Sequence, residues 1–431
     1  MPYIAKKPGK INFKVAIPIL VAILVVAFFS FQFLHTKKED AKRFQICGLN
    51  ADKTQEELQK KAKDTYVFND YFYYGETLNL LQNAYNPEEN DNISGKSILL
   101  KDVCSNKEYA FVVGSTIDSA ILLNNVEKGF YRVYVVENLI EKQAVMGMDV
   151  KNSIKTINRN GSRRKVSLLA SQEYFKEKEI QEKENYVYLQ VQDTTLAKDE
   201  YDIAIDPAGS DYDFTYTLNR GSEGNGLVEM EETYTAAELL AAKLEEKGLK
   251  VLVVRNKDEE INSYGKDGRL ARAYHAKAKY YLRLSFSESV NNYEGMDVAY
   301  SAHSSNMFAN QIIYHLKRNS DVTISNVYSL GQNDGYYSSI LLKGIDNRQV
   351  YDSDLWIREA GGKATMAGMY SENAQEGTSS FAKDSMFGMN ALDINLGYLT
   401  NVSDANFWKE NKDAYMGSLA EAIKNYLSIE E

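Results

Sequence analysis

Two groups of carboxylates stand where this chain could do chemistry. One is in the run Ile203-Ala204-Ile205-Asp206-Pro207-Ala208-Gly209-Ser210-Asp211, which reads as a strand ending in a turn; the other is Glu229, Glu231 and Glu232 at the start of a helix. Carboxylates so placed serve as oxygen ligands to a metal or as proton carriers. Other donors are few. The chain has 4 histidines: His35 beside an apolar N-terminal run, His275 on one predicted helix, and His303 and His315 flanking another, none of them at a strand end. Cys47 and Cys104 either pair in an oxidising compartment or stay apart as buried thiols. No CxxC or Cys/His spacing for a metal is present. Further on, Gly361-Gly362 with Arg358 nearby offers backbone N–H groups to an anion, or is an ordinary turn after a strand.

The elements that must position these residues alternate from Tyr201 onward. Strands are predicted over 202–206, 250–255, 280–286, 297–301 and 391–396 from short β-branched and apolar runs. Helices are predicted over 228–247, 267–278, 306–318 and 404–427 from apolar residues recurring at helical spacing. Such alternation argues an α/β fold with a largely parallel sheet. From Tyr66 to about Lys198 the pattern is different: β-branched and aromatic runs such as Tyr109-Ala110-Phe111-Val112-Val113 are separated by Asn, Gly and Asp turns. That stretch reads as a β-rich domain. Its cluster Tyr71-Phe72-Tyr73-Tyr74 serves either as a stacking surface for sugar rings or as core and domain interface.

Ahead of it, Val15 to Leu34 carries no charge, about 20 residues and about 30 Å of helix, enough to span a bilayer. The run ends in Phe31-Gln32-Phe33-Leu34-His35 without an Ala-x-Ala cleavage pattern, so it reads as a retained anchor. Lys6, Lys7, Lys10 and Lys14 before it are matched by Lys37, Lys38, Lys42 and Arg43 after it, so charge does not set its orientation. A short tail and a large folded remainder favour the tail inside and the bulk outside. Residues 37–64 are charged and rich in Gln, Glu and Lys, with Thr54-Gln55-Glu56-Glu57 as a helix start. A net charge of -10 argues against nucleic acid as a partner.

Residues 202–427 resemble the catalytic domain of zinc-dependent N-acetylmuramoyl-L-alanine amidases, which cleave the amide between muramic acid and L-alanine in peptidoglycan. In that family the opening strand runs into Asp-Pro-Gly-His-Gly-Gly, whose His is the first zinc ligand; Ala208 stands there. A Glu starting the long helix is the second ligand, and Glu229 matches it. Arg269 in Gly268-Arg269-Leu270-Ala271 matches the Arg of the following helix. The strand Ile-Ser-Ile-His, with the second His ligand, aligns on Leu282-Arg283-Leu284-Ser285, so Ser285 replaces that His. The closing Leu-Val-Glu-x-Gly-Phe-x-Ser-Asn, whose Glu is the general base, aligns on Asp393-Ile394-Asn395-Leu396-Gly397-Tyr398-Leu399-Thr400-Asn401, with Asn395 at the base.

The resemblance thus implies an amidase frame in which three of the four chemical positions are changed. Expected from it are a cytoplasmic tail at 1–14, a transmembrane anchor at 15–34, a helical stalk at 35–65, a β-rich domain at 66–198 and an amidase-like domain at 199–431. The expected role is a non-catalytic, single-pass cell-membrane protein that binds peptidoglycan or a cell-envelope partner, with no cofactor. An active amidase with zinc is the alternative. Asp206, Glu229, Arg269, Ser285, Asn395 and Arg358 are the candidate cleft residues.

Overall fold

The computed structural model describes residues 25–26, 44–83, 93–159, 162–195, 200–212, 217–263, 267–289, 292–325, 335–338, 341–343, 349–351 and 387–427. The apolar run 15–34 lies outside these apart from Val25 and Val26, as do Arg358 and Gly361-Gly362. Among the described residues no helix is long and apolar enough to cross a membrane.

Near-continuous apolar runs in the second half become strands covered on both faces, as a parallel sheet requires. Strand β1 (Ile203–Pro207) lies between β2 (Val251–Val253) and β3 (Tyr280–Ser287) and is parallel to both. Strand β3 pairs in parallel with β6 (Asn390–Tyr398), which also pairs antiparallel with β4 (Asp297–Tyr300). Strand β5 (Tyr336–Ser338) closes the order β2-β1-β3-β6-β4-β5. The reversal at β4 departs from a wholly parallel sheet. The link between β3 and β4, residues 288–296, is too short for the crossover that a parallel return would need.

One face carries Ile203, Ile205, Leu282, Leu284, Leu392 and Ile394, and is covered by α1 (Glu229–Glu246), α3 (Met307–Asn319) and α4 (Val402–Tyr426). On the other face, Ala204, Tyr281 and Ala391 meet Leu270 and Ala273 of α2 (Arg269–His275). Helix α2 is shorter than its sequence pattern. It begins after Gly268 and ends before Lys277, which takes φ +52°.

The β-rich part forms an eight-stranded sheet that includes Ser97–Asp102, Gly129–Glu137, Ile140–Met146 and the hairpin Val150–Arg159 with Ser162–Ala170. A second sheet joins Asp70–Tyr74, Thr77–Leu81 and Ile121–Leu122 to Phe387–Gly388 from the far end of the chain. The border expected at 198/199 is therefore not a clean cut, because the amidase-like segment lends a strand to its neighbour. Tyr71, Phe72, Tyr73 and Tyr74 are all buried, with Tyr73 stacked on Phe387, which makes them core and interface and removes them as a sugar platform.

By contacts the chain divides into Met1–Lys61 with Ser171–Glu184, and Ala62–Ala170 with Asn185–Glu431. The first unit thus takes 171–184 from the stretch read as β-rich. Within it, helix Ala51–Gln59 is capped by the Asn50 side chain and buries Ala51, Thr54 and Leu58. Helix Gln172–Glu177 is capped by Ser171, and its Tyr174 and Phe175 meet Phe44 edge-on. Both cysteines, Cys47 and Cys104, are disulfide-bonded.

Candidate functional site

The C-terminal ends of β1, β3 and β6 lie side by side, and the turns leaving them bring the candidate positions together. Ala208 follows β1 and donates its N–H to the Leu284 carbonyl at 3.0 Å. Gly209 takes φ +85°, and a Cβ there would stand 2.7 Å from the Met230 nitrogen, so only glycine fits between the turn and the start of α1. Thr233 ties the same two elements, its hydroxyl donating to the carbonyls of Ala208 (2.9 Å) and Glu229 (2.8 Å). Ser285 and Asn395 are register partners across β3 and β6. Ala208, Glu229, Ser285 and Asn395 thus form one connected group, and they are 0%, 6%, 8% and 7% exposed.

Each polar member of the group is already engaged within the chain. The Glu229 carboxylate accepts the backbone N–H of Ser222 at 2.8 Å and of Phe286 at 3.1 Å. Gly221 makes room for it, since a Cβ there would fall 2.0 Å from Oε2. Burial raises the Glu229 pKa, against the Arg283 charge and the two N–H donors that lower it. Ser285 donates its hydroxyl to Asp393 Oδ1 at 3.1 Å. Asn395 donates Nδ2 to Asp297 Oδ2 at 3.0 Å. The neighbouring acids are occupied too: Glu231 pairs with Arg220 at 2.5 Å, and Glu232 accepts from Trp408 Nε1 at 2.8 Å.

Asp206 and Arg269 sit behind the turn and not on a cleft wall. Both side chains are fully buried, and Arg269 Nε donates to Asp206 Oδ1. The Arg269 guanidinium also reaches Ser210 (2.7 Å), the Ile261 carbonyl (2.6 Å), Ser263 (2.6 Å) and Asp211 (3.1 Å), while Tyr281 donates its hydroxyl to Asp206. Burial alone would lower the Arg269 pKa, yet Asp206 and Asp211 beside it hold it above its ordinary value. Arg255 pins the turn from another side through the carbonyls of Pro207 (2.9 Å) and Met230 (2.6 Å). These residues hold the frame.

Among the described residues, no group of three or more His, Cys, Asp or Glu is arranged to hold a metal ion. His275 ends α2, His303 bonds through its backbone carbonyl to Ile117, and His315 meets Asn319 and Asn425.

Sequence comparison places this frame. The N-acetylmuramoyl-L-alanine amidase profile matches residues 203–428, just over half of the chain. The chain belongs to the N-acetylmuramoyl-L-alanine amidase family. No curated protein gives a sequence match. Similar solved structures include the amidase AmiC2 of Nostoc punctiforme (18% identity, 52% of this chain and 94% of that one, TM-score 0.33). Others are the amidase Ami1 of Mycobacterium smegmatis (14%, 53% and 97%, TM-score 0.37) and the catalytic domain of the amidase CwlV of Bacillus (Paenibacillus) polymyxa (15%, 53% and 99%, TM-score 0.35).

Sequence reading passed over three residues of this amidase-family domain. Arg283 and Asp393 are register partners on β3 and β6 and form an ion pair at 2.9 Å. Asp297, on β4 opposite Asn395, also accepts from the Tyr398 hydroxyl at 3.3 Å, and burial pushes its carboxyl up to about 7. The available signal was a charge flanked by Leu282 and Leu284 in a strand otherwise buried on both faces.

Proposed function

We propose that the chain is a membrane-anchored protein of the cell envelope whose amidase-family domain engages peptidoglycan without cleaving it. The observation that carries this reading is the donor set at the four positions assigned by resemblance. Ala208 has no donor atom, the Ser285 hydroxyl is given to Asp393, the Glu229 carboxylate is held by two backbone N–H groups, and Asn395 cannot act as a base. These residues do not fit a zinc ion, which needs about three nitrogen, sulfur or oxygen ligands and an open position. Ser222, Phe286 and Asp393 take the bonding capacity that a metal site would leave free.

The anchor is the apolar run 15–34, and its orientation puts the folded bulk outside, where peptidoglycan lies. The disulfide-bonded state of Cys47 and Cys104 supports an oxidising compartment. Retention of the full chain in the membrane pellet after alkaline extraction checks the anchor; release into the supernatant refutes it. The binding reading is checked by cosedimentation of the detergent-solubilised full chain with purified peptidoglycan, which is expected to pull it down in a saturable manner.

A second reading, an adaptor that holds a protein partner while its former cleft is shut, is favoured by the burial of all four positions. Failure to cosediment, with retention of a membrane partner, selects it.

A further inference from the structure

The tier of the sheet just below the four positions carries three charges abreast. Asp206 on β1, Arg283 on β3 and Asp393 on β6 are successive register partners, so their side chains leave the same face of the sheet. Arg283 Nη1 donates to Asp393 Oδ2 at 2.9 Å, and Asp393 Oδ1 accepts from Ser285 at 3.1 Å. The two side chains are 13% and 12% exposed. Besides Asp393, the carboxylates that act on the guanidinium are Asp206, Glu229 and Asp211. Asp206 and Asp211 already have Arg269 as an ion-pair partner. Asp393 is paired with Arg283, and the Arg283 charge also acts on Glu229, favouring its ionised form against burial.

Both members of this pair depart from the amidase motifs. The strand Ile-Ser-Ile-His has serine where Arg283 stands, and Leu-Val-Glu has leucine where Asp393 stands. A cation and an anion have thus entered neighbouring strands beside the positions where a ligand and the base are replaced. We infer that the Arg283 guanidinium is the resident cation of this site, taking the place of the family's metal beside Glu229, and that it keeps divalent cations out. A guanidinium fits the role because it stays charged when buried and presents several N–H donors in one plane to carboxylates. A divalent ion entering beside it would meet like-charge repulsion in a medium that screens poorly.

The inference rests on the non-catalytic reading above, and the two fail separately. Zinc per chain is measured on the detergent-solubilised full chain after equilibration with zinc and removal of the excess. The unmodified chain and the Ala208→His/Ser285→His variant are both expected to retain less than about a tenth of an equivalent. Adding Arg283→Ser and Asp393→Leu to that variant is expected to raise retention to about one equivalent, a gain of roughly tenfold. Stoichiometric zinc in the Ala208→His/Ser285→His variant, with none in the unmodified chain, overturns this inference alone. Stoichiometric zinc in the unmodified chain overturns both.

If the fourfold variant lacks the circular dichroism of the folded chain, Arg283→Met added to the Ala208→His/Ser285→His variant decides. Its thermal midpoint is expected to rise by a few degrees with added zinc, roughly the shift that ligand linkage gives, while the Ala208→His/Ser285→His variant does not respond. A midpoint of the threefold variant that ignores zinc, or an Ala208→His/Ser285→His variant that shifts as much, overturns the inference.

Discussion

Asp297 is the carboxyl whose ionisation this fold opposes most clearly. Burial raises it to about 7, although Asn395 and Tyr398 donate to it and favour its charged form. A carboxyl with a folded pKa above its unfolded value holds its proton more tightly in the folded chain. Stability should then fall as pH rises from about 4 to about 7 and level off above that. Asp297→Asn keeps the shape and removes the charge. In urea denaturation the variant should gain about 2 to 4 kcal/mol over the unmodified chain at alkaline pH, with the gain vanishing toward about pH 4. A difference independent of pH would contradict the assignment. Arg269 is the opposite case, a buried cation fully served by its neighbours. Arg269→Met strands Asp206 and should cost about 3 to 5 kcal/mol, and Arg269→Lys should recover little, because an ammonium cannot reach all five partners at once. A cost below about 1 kcal/mol in the same denaturation assay would show that the network is dispensable.

At the scale of elements, strands β1 and β3 were legible because each is rich in apolar residues, and their order with α1 and α2 follows from alternation. The reversed direction of β4 was not, since it is set by pairing with β6 and leaves no mark in the composition of Asp297–Tyr300. Phe387–Gly388 is two residues long, too short for any periodicity, yet it carries the link to Asp70–Tyr74. The positions Ala208, Glu229, Ser285 and Asn395 were assigned through the family resemblance, and what surrounds them could not be read from the chain. Arg283 alone looks like one polar residue in a strand, and only the register of β3 against β6 brings it to Asp393. Gly75 marks the same limit: it takes φ +56°, and a Cβ there would lie 3.2 Å from Asn390 Cβ. Gly75→Val should cost roughly 2 kcal/mol and speed amide exchange in both Asp70–Tyr74 and Asn390–Tyr398. Faster exchange confined to residues 70–81 would show that the two sheets are not coupled there.

In the larger unit, the β-rich and amidase-family parts are joined at several independent places. Arg163 forks onto Asp202, Asp118 accepts from the Ser305 nitrogen at 2.8 Å and hydroxyl at 2.6 Å, and the Ile117 nitrogen donates to the His303 carbonyl at 3.0 Å. Together with the shared sheet these contacts predict that the two parts melt in one calorimetric transition. Two resolved transitions, one assignable to each part, would contradict it. The role proposed for this frame is to hold peptidoglycan without cutting it. The most direct measurement incubates the detergent-solubilised full chain with purified peptidoglycan and zinc, and follows the appearance of new L-alanine amino termini alongside sedimentation. The expected result is chain in the pellet with no new alanine amino termini above a protein-free control. New termini that appear with the unmodified chain and disappear with Glu229→Ala would contradict the central claim and establish an active amidase.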